Sequence, residues 1–225
     1  GTPDPKTFVS GRKEEEEETV ILSHIAAREA IKAERPEIKV DLSLSLHDIQ
    51  AAEGGEEKAK DEWRKEFLIY LKAIEKDDFI GVQNYARTII GKDGVMNPPL
   101  SASLTQMGYE NYPEALYNVL KRVDRELKER NLDIPLYVTE NGIATSDDEE
   151  RVVFIEKALS GLKRAKDEGV DVRGYFHWSL LDNFEWQKGF SMTFGLIAVD
   201  RITMKRYPKP SLKYLGSYAP IKRNV

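Results

Sequence analysis

The sequence predicts an α/β fold in which parallel strands alternate with helices, four times over. Two observations carry this. Short apolar runs sit at residues 39–46, 78–82, 134–138 and 172–176, and each is followed by a segment whose apolar residues recur at helical spacing. Strands alternating with helices need crossover connections, so the strands lie side by side in one parallel sheet, with any ligand site beyond their carboxyl ends. A chain of 225 residues is long enough for one substantial core and is read as a single domain, 1–225.

The elements follow in order. Residues 13–34 have a helical pattern in which Leu22, Ile25, Ala26 and Ala30 share a face, and Pro36 marks the exit. The acidic run at 14–18 falls in the first turns, where negative charge complements the helix dipole. Residues 39–46 alternate polar and apolar, as a strand packed on one face does. After Gly54-Gly55, a helical stripe runs through Trp63, Phe67, Tyr70, Leu71 and Ile74. Asp78-Phe79-Ile80-Gly81-Val82 is a short buried strand, followed by a loop with Asn97-Pro98-Pro99 and a helix opening near Pro113. That helix buries Leu116, Val119, Leu120, Val123 and Leu127. Ile134-Pro135-Leu136-Tyr137-Val138 is the third strand. Asp147 or Asp148 caps the next helix, Val152, Ile155, Leu159 and Leu162 mark its buried side, and Gly169 stops it. Val172-Arg173-Gly174-Tyr175-Phe176 is the fourth strand. A long aromatic loop and a short helix around 211–215 close the chain.

Composition narrows the function. A net charge of −5 argues against nucleic acid, whose binding depends on Lys and Arg replacing condensed counterions. No apolar run approaches the roughly 20 residues a spanning helix needs, so no membrane partner is expected. Without cysteine there is no disulfide, thiolate zinc site or thiol nucleophile. The three histidines, His24, His47 and His177, are widely dispersed, and no glycine-rich phosphate motif lies between a strand and a helix. Neither metal nor other cofactor is expected. Gly1-Thr2-Pro3-Asp4-Pro5 has neither the basic region nor the apolar stretch of a signal peptide, and the expected location is cytoplasmic.

Two segments carry chemistry. In Tyr137-Val138-Thr139-Glu140-Asn141-Gly142 a carboxylate stands where an apolar strand gives way to a turn. Packing explains it poorly, because burying an ion without partners costs several kcal/mol. The plain alternative is a strand-end Glu that caps the following loop or bonds an Arg. The stretch from Gly174 to Trp186 gathers aromatics, two acids and an amide after a strand. That combination suits a sugar, whose C–H faces stack on indole while its hydroxyls bridge carboxylates and amides.

Taken together, these motifs resemble the family 1 β-glycosidases. Thr139-Glu140-Asn141-Gly142 is similar to the family's nucleophile motif. Residues 174–186, continuing to Phe194-Gly195-Leu196, resemble the signature after its last barrel strand. The likeness extends to Asp78-Phe79-Ile80-Gly81-Val82-Gln83-Asn84-Tyr85, to Met107-Gly108-Tyr109-Glu110, and to the tail from Val199-Asp200 through Pro210-Ser211. The resemblance implies Glu140 as the nucleophile of a retaining β-glycosidase, with Tyr85 holding that carboxylate ionised. It implies that Glu185 and Trp186 grip the sugar's distal hydroxyls and that Trp178 forms its platform. Gln83 stands where many members have Asn, Tyr109 where Trp is common, and Phe194 belongs to the sugar-site signature. His177 is read as a structural neighbour of Trp178.

A retaining glycosidase uses two carboxyl groups roughly 5 Å apart. In the resembled family the acid/base residue lies in an Asn-Glu-Pro segment, and no Asn-Glu-Pro occurs here. The resemblance therefore implies a (βα)4 half of a TIM (β/α)8 barrel, equivalent to strands five to eight with the preceding helix. Four parallel strands cannot close a barrel, so a homodimer or a complementing N-terminal half-barrel is the expected partner. The expected ligand is a β-glycoside or monosaccharide. Hydrolysis is expected to be weak or absent unless a partner supplies the acid. A noncatalytic half-barrel scaffold or sugar-binding module is the alternative, and the truncation could be engineered.

Overall fold

A computed structural model describes residues 14–218. The expected helix start at Lys13 and the segment Gly1 to Pro5 lie outside the described residues. In chain order the elements are α1 (Glu14–Glu34), β1 (Leu44–Ser45), β2 (Asp48–Ala51), α2 (Glu56–Glu66), a 3-10 turn, α3 (Leu71–Ile74), β3 (Ile80–Gln83), β4 (Arg87–Gly91) and β5 (Gly94–Val95). Then follow α4 (Ala115–Lys128), β6 (Leu136–Asn141), α5 (Asp148–Asp167), β7 (Val172–His177), β8 (Ile197–Val199), β9 (Arg206–Pro208) and α6 (Pro210–Gly216). The main sheet has the order β1-β3-β6-β7 with every pair parallel. Because that order is also the chain order, each strand–helix unit adds its strand beside the last. Among the described residues no helix is long and apolar enough to cross a membrane.

The stripe read for α4 joins the core in full, whereas on α5 only Ile155 of the four expected residues is buried, Val152, Leu159 and Leu162 being half-buried and Phe154, Ala158 and Ala165 taking the inner face. Leu116, Val119, Leu120, Val123 and Leu127 of α4 are buried, and they pack in one cluster with Ile80, Val82, Leu136, Val138 and Val172 of the sheet, Trp63 of α2 and Phe67 just beyond it. Asp147 caps α5, its side chain accepting from the backbone N–H groups of Glu149 and Glu150. Gly169 takes the left-handed φ of 88° that ends this helix.

Three further expectations need correction. The strand read over 39–46 is regular only at Leu44–Ser45. Carboxylates take the amides that would extend it: Val40 N–H donates to Asp78 at 2.8 Å and Leu42 N–H to Asp77 at 3.0 Å. On α1, Leu22 is 54% exposed, and Ala26 and Ala30 are exposed too. Ile25 of the expected face is half-buried and Ile21 packs on the core, but the rest of the inward side is built on charge. His24 meets both Asp77 oxygens at 2.9 Å, Arg28 reaches Asp77 at 2.5 Å and the Ala73 carbonyl at 2.6 Å, and Lys32 reaches Asp78 at 2.6 Å. Finally, residues 48–51 and 87–95 form a separate three-stranded sheet, β2-β4-β5. Its strands are short and lack a clean period of two, so the pattern left no signal.

Candidate active site

The four parallel strands end on one side of the sheet, and their carboxyl ends carry the candidate residues. Gln83 ends β3, Tyr85 lies two residues beyond, Glu140 is the penultimate residue of β6, and Trp178 directly follows β7. A cleft of about 350 Å³ is lined by Ser45, Gln83, Tyr85, Met107, Tyr109, Glu140, Trp178, Glu185, Trp186 and Phe194. All eight residues named from the sequence are in that lining. Ser45 and Met107 were missed. Both had a signal, since Ser45 closes β1 on the ligand side and Met107 sits in a motif already singled out.

A defect in β6 aims Glu140. Val82 of β3 pairs with Val138, but Gln83 pairs with Glu140, so Thr139 is an extra residue. The pairing with β7 shifts over the same stretch, Tyr175 facing Val138 and His177 facing Asn141. In an unbroken strand residues 136, 138 and 140 would share a face. Leu136 and Val138 belong to the core beside α4, and Glu140 would follow them there. The bulge turns it toward the cleft, as extra residues in strands do.

Both carboxylate oxygens of Glu140 are engaged. Gln83 Nε2 donates to Oε1 at 3.0 Å and the Tyr85 hydroxyl to Oε2 at 2.6 Å. Burial, then the hydrogen bond to Glu140 and its charge, push the Tyr85 phenol far above the ordinary tyrosine range. Tyr85 is therefore a donor at any working pH, and its short bond is of the charge-assisted kind. Its ring stands edge-on to Phe194 at 5.9 Å between centroids. Burial and the Glu185 charge likewise raise the Tyr109 hydroxyl.

The walls are fixed locally. Trp178 N–H donates to the Asn141 carbonyl at 2.9 Å. At Gly142 a Cβ would stand 1.9 Å from the Trp178 carbonyl oxygen, so this close approach requires glycine. The peptide between Trp178 and Ser179 is cis. The loop beyond is tied back by Ser179 N–H to the Phe194 carbonyl (3.3 Å) and Leu196 N–H to the Ser179 carbonyl (2.9 Å). Asn183 Nδ2 donates to Glu185 at 3.3 Å. Trp186 is held at a left-handed φ of 39°, a conformation that non-glycine residues adopt at a cost and often near functional sites. Across the cleft, Arg87 grips Glu110 by two bonds of 2.7 Å and holds the turn that carries Tyr109.

His177 directly precedes Trp178 in the chain. Its Nδ1 lies 3.2 Å from the Tyr175 hydroxyl, and its Nε2 is shut off from solvent. Burial, then the Arg151 charge, push its imidazole down to about 3, so it carries no positive charge near neutrality.

Comparison with known proteins agrees with this geometry. Residues 72–224 match the model of Glycosyl hydrolase family 1. The chain is 44% identical over 150 residues to a beta-galactosidase of Sulfolobus acidocaldarius, covering 60% of this chain and 29% of that protein. It is 37% identical over 153 residues to beta-glucosidase A of Thermotoga maritima, covering 61% and 33% respectively. Among solved structures, a beta-glycosidase superposes with a TM-score of 0.82 at 42% identity, over 91% of this chain and 49% of that one. The family 1 beta-glucosidase of Thermotoga maritima superposes with a TM-score of 0.78 at 26% identity, over 90% and 54%. The chain thus spans about half the length of these structures and a third or less of the curated relatives. On the matched motifs, the shared fold and the extent of the family match, this chain belongs to glycosyl hydrolase family 1.

Proposed function

We infer that the chain is a piece or miniaturised derivative of a retaining β-glycosidase, folded as one (βα)4 half of a barrel, in which Glu140 attacks the anomeric carbon of a β-glycoside. The observation that carries this reading is Glu140 itself. Its two oxygens are held by Gln83 and Tyr85 at 3.0 and 2.6 Å, in a cleft walled by Trp178 and Trp186. In the proposed step a Glu140 oxygen bonds to C1 while the C1–aglycone bond breaks and its electron pair leaves with the aglycone oxygen. Water then cleaves the glycosyl ester. Trp178 and Trp186 supply stacking faces, Glu185 accepts from sugar hydroxyls, and Tyr109 and Phe194 border the cleft.

An alkoxide leaving group needs a proton, which retaining enzymes take from a second carboxyl group. In this reading that group comes from a partner, either a second copy or a complementing half-barrel. Two features support a partner. β1 and β7 are the outer strands of the main sheet, each paired on one side. Trp186 of the cleft, and Phe176, Leu180, Phe184 and Phe190 on β7 and the segment after it, are all more than half exposed, whereas monomers rarely leave large apolar patches open.

Nitrophenyl β-glucoside tests the reading, because its leaving group departs with little protonation. We expect slow turnover by the wild type and none by Glu140→Ala. Equal rates would remove Glu140 from the mechanism. The same exposed groups would equally serve a noncatalytic sugar-binding scaffold. Calorimetric binding of glucose without release of nitrophenol would favour that second reading.

A further inference from the structure

We propose that Asn141 is the positioning residue of this site, locking the bulge in β6 and thereby fixing the direction in which Glu140 points. The proposal rests on the reading of Glu140 as the attacking carboxylate, and it starts from a mechanical problem. An extra residue leaves part of a strand unpaired and the ladder locally disrupted. Here both ladders of β6 shift just before Asn141, so the backbone alone holds Glu140 weakly.

Asn141 is 1% exposed, and its carboxamide spans the gap on both sides. Toward β3, its Nδ2 donates to the Asn84 carbonyl at 2.8 Å. Toward β7, its Oδ1 accepts from the Tyr175 hydroxyl at 3.0 Å. Its backbone carbonyl accepts from Trp178 N–H at 2.9 Å, and Asn84 N–H donates to the Glu140 carbonyl at 3.0 Å. Asn84 also binds the residue after β1, its Nδ2 reaching the Leu46 carbonyl at 2.9 Å. One side chain therefore links the ends of three strands and sits between the nucleophile and the indole platform. Packing alone gives no reason for an amide there. An apolar residue of similar size would fill the space and leave the Asn84 carbonyl and the Tyr175 hydroxyl without these partners.

The chemistry singles out Asn among close relatives. Aspartate keeps an acceptor for Tyr175 but sets a carboxylate oxygen against the Asn84 carbonyl, replacing a bond with repulsion. Alanine loses both links. Tyr175→Phe deletes one oxygen, which cuts the β7 link of Asn141 and the 3.2 Å contact with His177 Nδ1 but spares the link to Asn84.

The test is covalent labelling with 2,4-dinitrophenyl 2-deoxy-2-fluoro-β-glucoside, read by intact mass and peptide mapping. A Glu140 oxygen bonds to C1, and dinitrophenolate leaves with the bonding electrons. Misplacing a reacting group by about 1 Å costs on the order of 100-fold in rate. We therefore expect Asn141→Ala and Asn141→Asp to slow the limiting labelling rate about 10- to 100-fold, with the half-saturating concentration changed less than about 2-fold. Tyr175→Phe should fall between them and the wild type. A second readout needs no sugar: the downfield proton resonance of the Tyr85 hydroxyl bonded to Glu140, assigned by its loss in Tyr85→Phe. It should vanish or move in the Asn141 variants.

Unchanged labelling and an unchanged resonance in Asn141→Ala would overturn the proposal. If the wild type itself is not labelled, the nucleophile reading fails, and the resonance alone decides whether Asn141 aims the carboxylate. If the Asn141 variants do not fold, Tyr175→Phe carries both measurements, and wild-type values there overturn the proposal.

Discussion

Replacing Arg151 with Met should destabilise the chain more than removal of any surface ion pair, and the structure gives the size. Arg151 is fully buried. Its Nη2 donates to the carbonyls of Thr145 at 2.5 Å and Thr193 at 2.7 Å, and its Nη1 bonds the Asp148 carboxylate. Thr193 adjoins Phe194 of the cleft, so one guanidinium joins α5 to the wall of the site. Methionine keeps most of the apolar stem but takes one donor from each of two carbonyls and a carboxylate; the Thr193 carbonyl keeps Thr145 N–H at 3.2 Å and the Thr145 carbonyl keeps the Thr193 hydroxyl at 2.8 Å. Removing one partner of a buried pair costs about 3–5 kcal/mol. Asp148 retains two donors, Ser211 N–H at 2.8 Å and its hydroxyl at 2.7 Å, which places the loss near the lower end, about 3–4 kcal/mol. At about 2–4 °C per kcal/mol for a chain of this size, Tm should fall by roughly 6–16 °C. The control is Arg164→Met, which removes an exposed pair with Glu114 and should shift stability by no more than about 1 kcal/mol. Thermal unfolding followed by calorimetry and circular dichroism gives both numbers. If Arg151→Met melts within about 2 °C of the wild type, the assignment of those carbonyls to this side chain is wrong.

Two further predictions concern pH and association. His177 is pushed down to about 3 from its ordinary 6.5, so between these values the unfolded chain binds a proton that the folded chain excludes. The contribution is fully present above 6.5 and is lost as pH falls, by up to about 2–3 kcal/mol over two units. Urea unfolding at pH 6.5 and 4.5 should show that difference in the wild type and a smaller one in His177→Gln; equal differences would contradict it. Sedimentation velocity at micromolar concentration should show species larger than one chain, because the outer strands and exposed aromatics remain open, and a strictly monomeric boundary would refute self-association.

Much of this was legible in the chain itself. The α4 stripe from Leu116 to Leu127 repeats at helical spacing over three turns, and all five named positions are buried. Short-range patterning of that length leaves little choice about which face turns inward. Glu140 was also legible, because an acid at the end of an apolar strand invites an explanation and the neighbouring aromatics supply one. The inward face of α1 was not. Its apolar residues were counted, but His24, Arg28 and Lys32 dock the helix by charge, and their partners Asp77 and Asp78 lie about 50 residues away. Periodicity carries no information about partners at that distance.

By itself, then, the sequence determined the alternation of strands and helices, most of the core, and the eight side chains that meet in the cleft. The alternation and the core follow from local hydrophobic period, whereas the set of eight was named through the resemblance of their motifs to the family 1 β-glycosidases. Only the tertiary structure decided where Glu140 points. An unbroken β6 would send it into the core beside Val138, and the bulge at Thr139 exists only in the pairing of β6 with β3 and β7. Strand register is a relation between segments, so the direction of the carboxylate became visible only once those strands were side by side.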